Sequence, residues 1–421
     1  MMSSKRPNIA RRFWKSLGPG LITGAADDDP SGIATYSIAG AQLGTSLLWT
    51  AFLTWPLMAA VQMMCARIGM VSGYGLARAL RQKFSAPIAA AASIALLFAN
   101  IFNIGADLSG MADAAEMLSG WNSHYYVIVF AIGISAATVW LRYISIANTL
   151  KWLALFLFAY VITAFLVHAD WLQVARDSVI PKIPNGKQGW ATLVAIFGTT
   201  ISPYLFFWQA SQEVEEEKSI GRLTTISRRG ATPLEINTRR LDVGVGTLVS
   251  NVVMFFIIVT TALTLHRAGI TQIESSRQAA EALQPLAGRG CFLLYTVGVI
   301  GVGLLAIPTL SGSAAYALAE TFGWQQGLDE RLEKARAFYA VVLLSTAAGI
   351  AFDFMNVNPI RILYWSGIIN GVLAPFLLVG ILIVSRDPII MHSQPSSKLS
   401  QITVAVTALV MFGAGIAMFI L

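Results

Sequence analysis

The sequence predicts an all-α integral membrane protein, and three observations carry that prediction. Of its 421 residues, 56% are hydrophobic and only 12% are charged, against about 25% charged in a soluble domain. Its mean hydropathy is +0.65. Apolar runs of about 20 residues, long enough to cross a bilayer as a helix, recur along the whole chain. Eleven are read, at about 17–39, 46–69, 87–111, 124–141, 149–167, 189–213, 241–265, 289–318, 336–352, 359–383 and 401–421. No domain boundary or low-complexity tract separates them, so 1–421 reads as one membrane domain.

Charge placement gives a topology. With a cytoplasmic N-terminus, 22 of the 29 Lys and Arg residues fall on inner loops and 7 on outer ones. That is the positive-inside pattern, and eleven spans then put the C-terminus outside. The net charge of +7 is therefore topological and does not signal nucleic-acid binding. Cys65 and Cys291 sit far apart in apolar runs, so no disulfide framework or thiolate site is expected. His124, His168, His266 and His392 fall near helix ends or in loops. No HExxH, phosphate loop or nucleophile–base pair is present, so neither an enzyme nor a cofactor is expected. The basic start followed by an apolar run has the outline of a signal peptide. The Gly-Pro-Gly inside it and the three acids after it make it a retained first span.

That first span, LGPGLITGAADDDPSGIATYSIAG (17–40), carries Asp27, Asp28 and Asp29 where the bilayer is deepest, followed at once by Pro30, Ser31 and Gly32. An intramembrane carboxylate marks a functional site by default. A broken helix at that depth is tolerated only inside protein or against a watery cavity. The third span, NIFNIGADLSGMADAAEML, places Asp107, Gly110 and Ala114 on one helical face, an acid suited to passing ions or protons. Asp113 and Glu116 lie at its outer end. The sixth span, IFGTTISPYLFFWQASQEVEEE, breaks at Ser202-Pro203, with Thr199 and Thr200 beside the break. Glu213, Glu215, Glu216 and Glu217 read as its solvated end. Pro308 and Pro375 fall inside the eighth and tenth spans as expected kinks. Asn370 in the tenth serves equally as an amide ligand or as a polar tie between helices. Met58, Met63, Met64 and Met70 read as packing.

The two breaks are 173 residues and five spans apart. Five is odd, so the copies run in opposite directions, the mark of an inverted-repeat transporter with its site at the midplane. Repeat one covers about 17–167 and repeat two about 189–383, with 401–421 as an extra helix. Freed carbonyls, hydroxyls and the Asp29 carboxylate make an oxygen-rich site suited to Mg²⁺, Ca²⁺ or Mn²⁺. Consecutive helical residues point about 100° apart, so the three acids cannot all face one ion. Asp27 and Asp28 are left to an access path or to backbone bonding. An amino-acid or other small-solute symporter of the same fold, and a non-transporting membrane sensor, are the alternatives.

At GPGLITGAADDDPSGIATYSIAGAQLGTSLLW, TTISPYLFFWQAS and TLSGSAAYALAETFGW the chain resembles the Nramp family of divalent-metal transporters. The resemblance implies the leucine-transporter-type 5+5 inverted repeat plus one helix, in a bacterial inner membrane. It implies a metal site at Asp29, Ser202, the Thr199 carbonyl and the Gly32 position, with Asp107 and Tyr204 along an ion or proton path; the residues themselves add Asp28 to the site and Asp27 and Asn370 to the path. The family's Asp-Pro-Gly-Asn reads here Asp29-Pro30-Ser31-Gly32, so the Asn side chain is lost. Its Met-Pro-His reads Ser202-Pro203-Tyr204, so the thioether and the histidine are lost. Its third-span acidic pair reads Asp107 and Gly110. A soft thioether favours transition metals; its loss implies a harder, wetter site of the Mg²⁺ or Mn²⁺ type, with weak or absent proton coupling. The substrate is a small inorganic cation, and the only other expected partner is the lipid bilayer.

Overall fold

Helix is the only regular structure among the described residues, which are 19–141, 152–355 and 357–421 of a computed structural model. The first predicted span divides into α1 (Pro19–Asp27) and α2 (Pro30–Leu43). Then come α3 (Trp49–Ser72), a short amphipathic α4 (Leu76–Lys83), α5 (Ala86–Ser119) and α6 (Ser123–Trp140). Helices α7 (Phe158–Leu166) and α8 (Trp171–Val179) precede the second divided span, α9 (Gly186–Thr200) and α10 (Pro203–Ser219). The chain continues through α11 (Pro233–Thr261), which runs on as one π turn to His266, and α12 (Cys291–Phe322). It closes with α13 (Arg336–Asp353), α14 (Pro359–Arg386) and α15 (Lys398–Ile420).

Nine helices among the described residues are long and apolar enough to cross a membrane, counting α9–α10 as one. They coincide with nine of the predicted spans. The other two are the divided first span and 149–167, of which Leu155–Leu166 is a shorter apolar helix. The basic residues at 5–15, Arg142 and Lys151 lie outside the described residues. Pro308 and Pro375 both sit inside continuous helices.

Loops assigned to the same side of the membrane meet one another. On the inner set, Lys83 pairs with Asp387 at 2.7 Å, Arg67 donates to the Gln394 carbonyl, and Arg228 donates to the Gly73 carbonyl at 3.0 Å. On the outer set, Arg267 reaches the His168 carbonyl at 2.7 Å and Asn358 the Glu274 carbonyl at 2.7 Å. Asp113 and Glu116 cap neighbours there, accepting from the Ser276 and Ser123 N–H groups at 3.1 and 2.7 Å.

Because lipid tails are as apolar as leucine, helices in a membrane associate through close packing of small residues. Two crossings position the breaks in this way. A Cβ on Gly24 of α1 would lie 2.8 Å from Gly246 Cα of α11. On α9, a Cβ at Gly198 would lie 2.8 Å from Gly371 Cα and inside the Gly367 carbonyl of α14. Gly198→Ala therefore forces α9 and α14 apart just before the second break. Overpacking of this kind costs about 1–3 kcal/mol or more. The expected result is a clear loss of melting temperature in detergent, with Gly413→Ala, whose Cβ would meet nothing within 4 Å, as the neutral control.

Candidate functional site: two broken helices and a buried carboxylate

Both breaks follow from an X-Pro step. A residue before proline is pushed to extended backbone, and proline is well placed at the first position of a new helix. Asp29 accordingly has φ −67° and ψ 170°, and Ser202 has φ −76° and ψ 131°. The two N-caps behave differently. Asp29 caps α2, its Oδ1 accepting from the Gly32 N–H and from Ser31 Oγ, both at 2.7 Å. Ser202 makes no cap; its Oγ donates backwards to the Gly198 and Thr199 carbonyls, each at 2.8 Å.

Asp29 is 2% exposed. Its second oxygen, Oδ2, accepts from Asn103 Nδ2 of α5 at 3.1 Å. Among the described residues no lysine, arginine or histidine pairs with it. Asp107, one turn beyond Asn103, is fully buried, with no side chain bonding its carboxylate and only the Ser31 backbone N–H close to it. Asn103 Oδ1, Thr35 Oγ1 and Asp27 Oδ1 are likewise buried, without a hydrogen-bond partner. Buried polar atoms in native proteins are nearly all satisfied, so this concentration of oxygens around one break is unusual. It has an excess of acceptors, which is what a cation requires.

Asp27 and Asp28 turn to α11. Ser250 Oγ lies 2.7 Å from Asp27 Oδ2 and 3.2 Å from Asp28 Oδ1. Tyr204 of α10 donates to the Ala26 carbonyl of α1 at 2.9 Å, tying one broken helix to the other. Thr199 is buried, its hydroxyl donating to the Ala195 and Ile196 carbonyls at 3.1 Å, and Tyr36 ends beside it. Gly32 is closely surrounded: a Cβ there would lie 3.3 Å from the Tyr36 ring and 3.5 Å from both the Asp27 carbonyl oxygen and Asp29 Oδ1. Gly110 has no room, since its Cβ would meet Leu363 at 2.8 Å. Asn370 is buried in α14, between the two glycines that receive α9.

The structure thus brings Asp29 together with Asn103, Ser31 and Gly32 by direct bonds, and α1 together with α10 through Tyr204. Asn103 and Ser250 were missed in the sequence. Asn103 had a signal, four residues before Asp107 on the same helical face. Ser250 and Asn251 interrupt an apolar helix, and intramembrane polar residues of that kind mark sites. No group of three or more His, Cys, Asp and Glu side chains with metal-binding arrangement occurs among the described residues. The first break thus offers the Asp29 carboxylate together with neutral oxygens.

One reading of the sequence is corrected. Glu213 is not a solvated helix end: it is 1% exposed and bonds Arg239 of α11 at 2.7 Å. Arg239 also bonds Asp242 at 2.6 Å and Glu216. Asp242 Oδ2 accepts from the Gly20 N–H at 2.8 Å, and Glu213 accepts from Gln209, which accepts from Thr23 at 2.8 Å. This buried network binds the start of α1 to α10 and α11.

Comparison with known proteins agrees in extent. The family model for natural resistance-associated macrophage protein-like (Nramp) proteins matches residues 20–421. A divalent metal cation transporter MntH of Caldanaerobacter subterraneus subsp. tengcongensis is 23% identical over 443 residues, covering 99% of this chain and 97% of its own. The MntH of Yersinia enterocolitica is 24% identical over 424 residues, with 97% and 95% covered. Among solved structures, an Eremococcus coleocola manganese transporter superposes with a TM-score of 0.76 at 16% identity, over 100% of this chain and 90% of that one. The nucleobase-cation-symport-1 family transporter Mhp1, in a closed conformation, gives 0.57 at 13% identity over 96% and 92%. These two likenesses establish the fold.

Proposed function

This chain belongs to the Nramp family, and on that premise we propose that it is a secondary transporter or facilitator of divalent metal cations, of the Mg²⁺ or Mn²⁺ type. One observation carries the reading: Asp29 is a buried carboxylate at a helix break, held by two neutral side chains and a backbone N–H, with no cationic side chain beside it among the described residues. Burying an unpaired charge in low dielectric is costly. A cation arriving at Asp29 offsets that cost, and the cation is in turn relieved of desolvation by the carboxylate.

Asp29 is the central ligand in this proposal. Opposite it stand the Thr199 carbonyl and the Ser202 hydroxyl, which accepts through its lone pairs while its hydrogen stays on the Gly198 or Thr199 carbonyl. Gly32 brings no side-chain ligand to the ion, so the ion keeps part of its water, as Mg²⁺ does readily. Asp28 and Asp27, joined through Ser250, line the way to the ion and add negative potential. Asp107 and Asn370 flank the path on α5 and α14. Tyr204 holds the two broken helices in register, its phenolic proton kept on the Ala26 carbonyl, and relays no proton. Alternating access moves α1–α2 and α9–α10 against the remaining helices, with repeat one over 17–167, repeat two over 189–383 and α15 outside both. The N-terminus is cytoplasmic and the membrane is the bacterial inner membrane.

The test is uptake into proteoliposomes with Mg²⁺ and Mn²⁺ in competition and internal pH recorded. The reading expects saturable entry of both ions without matching acidification. Absence of divalent-ion entry in folded protein would reject it, and acidification in step with entry would reject weak coupling.

Selectivity gives a further expectation. Ser202→Met places a thioether where only hard oxygens stand. Softer Cd²⁺ then gains on Mg²⁺ by roughly tenfold, about 1.4 kcal/mol. Ser202 is 1% exposed, so the added volume costs about 1–3 kcal/mol of stability. Inhibition constants for Cd²⁺ and Mg²⁺ against Mn²⁺ uptake read the shift; an unchanged ratio would place Ser202 away from the ion.

A further inference from the structure

A cavity of about 610 Å³ lies on the same face as the inner loops, between α4 and the ends of α3, α10 and α12. Its wall carries Arg78 and Arg81 from α4, Lys218 from α10 and Arg228 from the loop beyond it, against one carboxylate, Glu320. Lys218 is neutralised by Glu215 at 2.8 Å. None of the three arginines forms a salt bridge among the described residues, although Glu217 and Glu215 lie near enough to Arg228 to act on its charge. Arg81 donates to the Thr321 carbonyl, and Arg78 lies 5.3 Å from the Tyr74 ring centre. Arg228, 7% exposed, donates to the Gly73, Arg222 and Leu223 carbonyls at 3.0, 3.0 and 2.8 Å. Glu320 is committed to the Arg78 backbone N–H and to Gln326, both at 3.2 Å. The cavity therefore keeps a net positive wall.

Converging guanidinium groups repel one another unless an anion joins them, and their planar forks match phosphate oxygens. The position adds a direction. Trp324, on the wall, stacks on Phe322 with ring centres 5.3 Å apart, and both are half-exposed. Aromatic side chains of this kind mark the headgroup level of a membrane, and basic pockets between spanning helices at that level bind anionic headgroups.

We propose that this cavity is a binding site for a phosphate group, presented by an anionic phospholipid or as a free phosphate, with Arg78, Arg81 and Arg228 as its recognition groups. The site stands apart from the helix breaks and does not depend on which ion is carried.

Purified full-length protein is titrated with dioctanoyl phosphatidylglycerol, dioctanoyl phosphatidylcholine and inorganic phosphate, with binding read by calorimetry. Phosphatidylglycerol binds at least about tenfold more tightly than phosphatidylcholine, and Arg78→Gln with Arg81→Gln removes that preference. Lys83→Gln on the same helix, outside the cavity wall, leaves it unchanged. Competition between inorganic phosphate and phosphatidylglycerol in the wild type supports the same site with a soluble source, and needs no variant to fold. Equal binding of the two lipids with no phosphate binding, or full preference retained in the folded double variant, overturns the proposal.

Discussion

Asp29→Asn reduces divalent-cation uptake to the background of empty liposomes while the protein stays folded. The substitution isolates charge from shape. Asparagine is as good an N-cap as aspartate, and its carbonyl oxygen still accepts from the Gly32 N–H and Ser31, which now bond Asp29 Oδ1 at 2.7 Å. The new amide nitrogen faces Asn103, whose Oδ1 has no partner. A flip of the Asn103 amide therefore restores that bond. Stability changes by no more than about 1 kcal/mol, the scale of a single neutral hydrogen bond. What disappears is the negative charge that balances a divalent ion in low dielectric, where one charge is worth several kcal/mol. Uptake and size-exclusion profiles, measured on the same preparation, check both halves of the expectation. Asp27→Asn is the informative companion: its carboxylate sits on Ser250 instead of the break, so it slows uptake without abolishing it.

Arg239→Gln has the opposite signature, a large loss of stability. The guanidinium is 7% exposed and serves Glu213 and Asp242, which are 1% and 0% exposed. Its third partner, Glu216, is half-exposed and contributes little. Removing one member of a buried ionic cluster leaves the others uncompensated, at a cost of about 3–5 kcal/mol. The damage spreads to the first break, because Asp242 holds the Gly20 N–H and Glu213 holds Gln209, which holds Thr23. With the network gone, the start of α1 loses its ties to α10 and α11. Lysine at 239 restores the charge but not the fork that reaches two carboxylates at once, so it recovers part of the loss. Thermal unfolding in detergent separates these variants. Arg240→Gln, at the exposed neighbouring position, provides the baseline, and equal melting temperatures for the two glutamine variants would contradict the network's role.

The breaks were legible in the sequence because their cause is local. Asp29-Pro30 and Ser202-Pro203 dictate extended backbone before a new helix whatever surrounds them. Asp29 stood out because a carboxylate in an apolar run is costly, although capping the new helix, which it does for α2, explains part of its presence. The long spans were legible because length and hydropathy alone define them, which is also why nine helices fall where expected. Tertiary meetings were not legible. Nothing local joins Asn103 to Asp29, 74 residues away, or Arg239 to Glu213 across a turn of 26 residues. Glu213 read as a charged helix end because its sequence neighbours are Glu215, Glu216 and Glu217; the approach of α11 and the packing of Gly69 of α3 bury it. Ser250 is one serine among many, and its place between Asp27 and Asp28 depends on the glycine crossing of α1 and α11 at Gly24 and Gly246.

The central claim is that Asp29, with neutral oxygens around it, forms a hard divalent-cation site at the first break. Isothermal titration of purified wild-type and Asp29→Asn protein with Mg²⁺ and Mn²⁺ tests it most directly. The account predicts saturable binding of both ions to the wild type and neither to the variant. Absence of binding to folded wild-type protein, or the same affinity in Asp29→Asn, would contradict it.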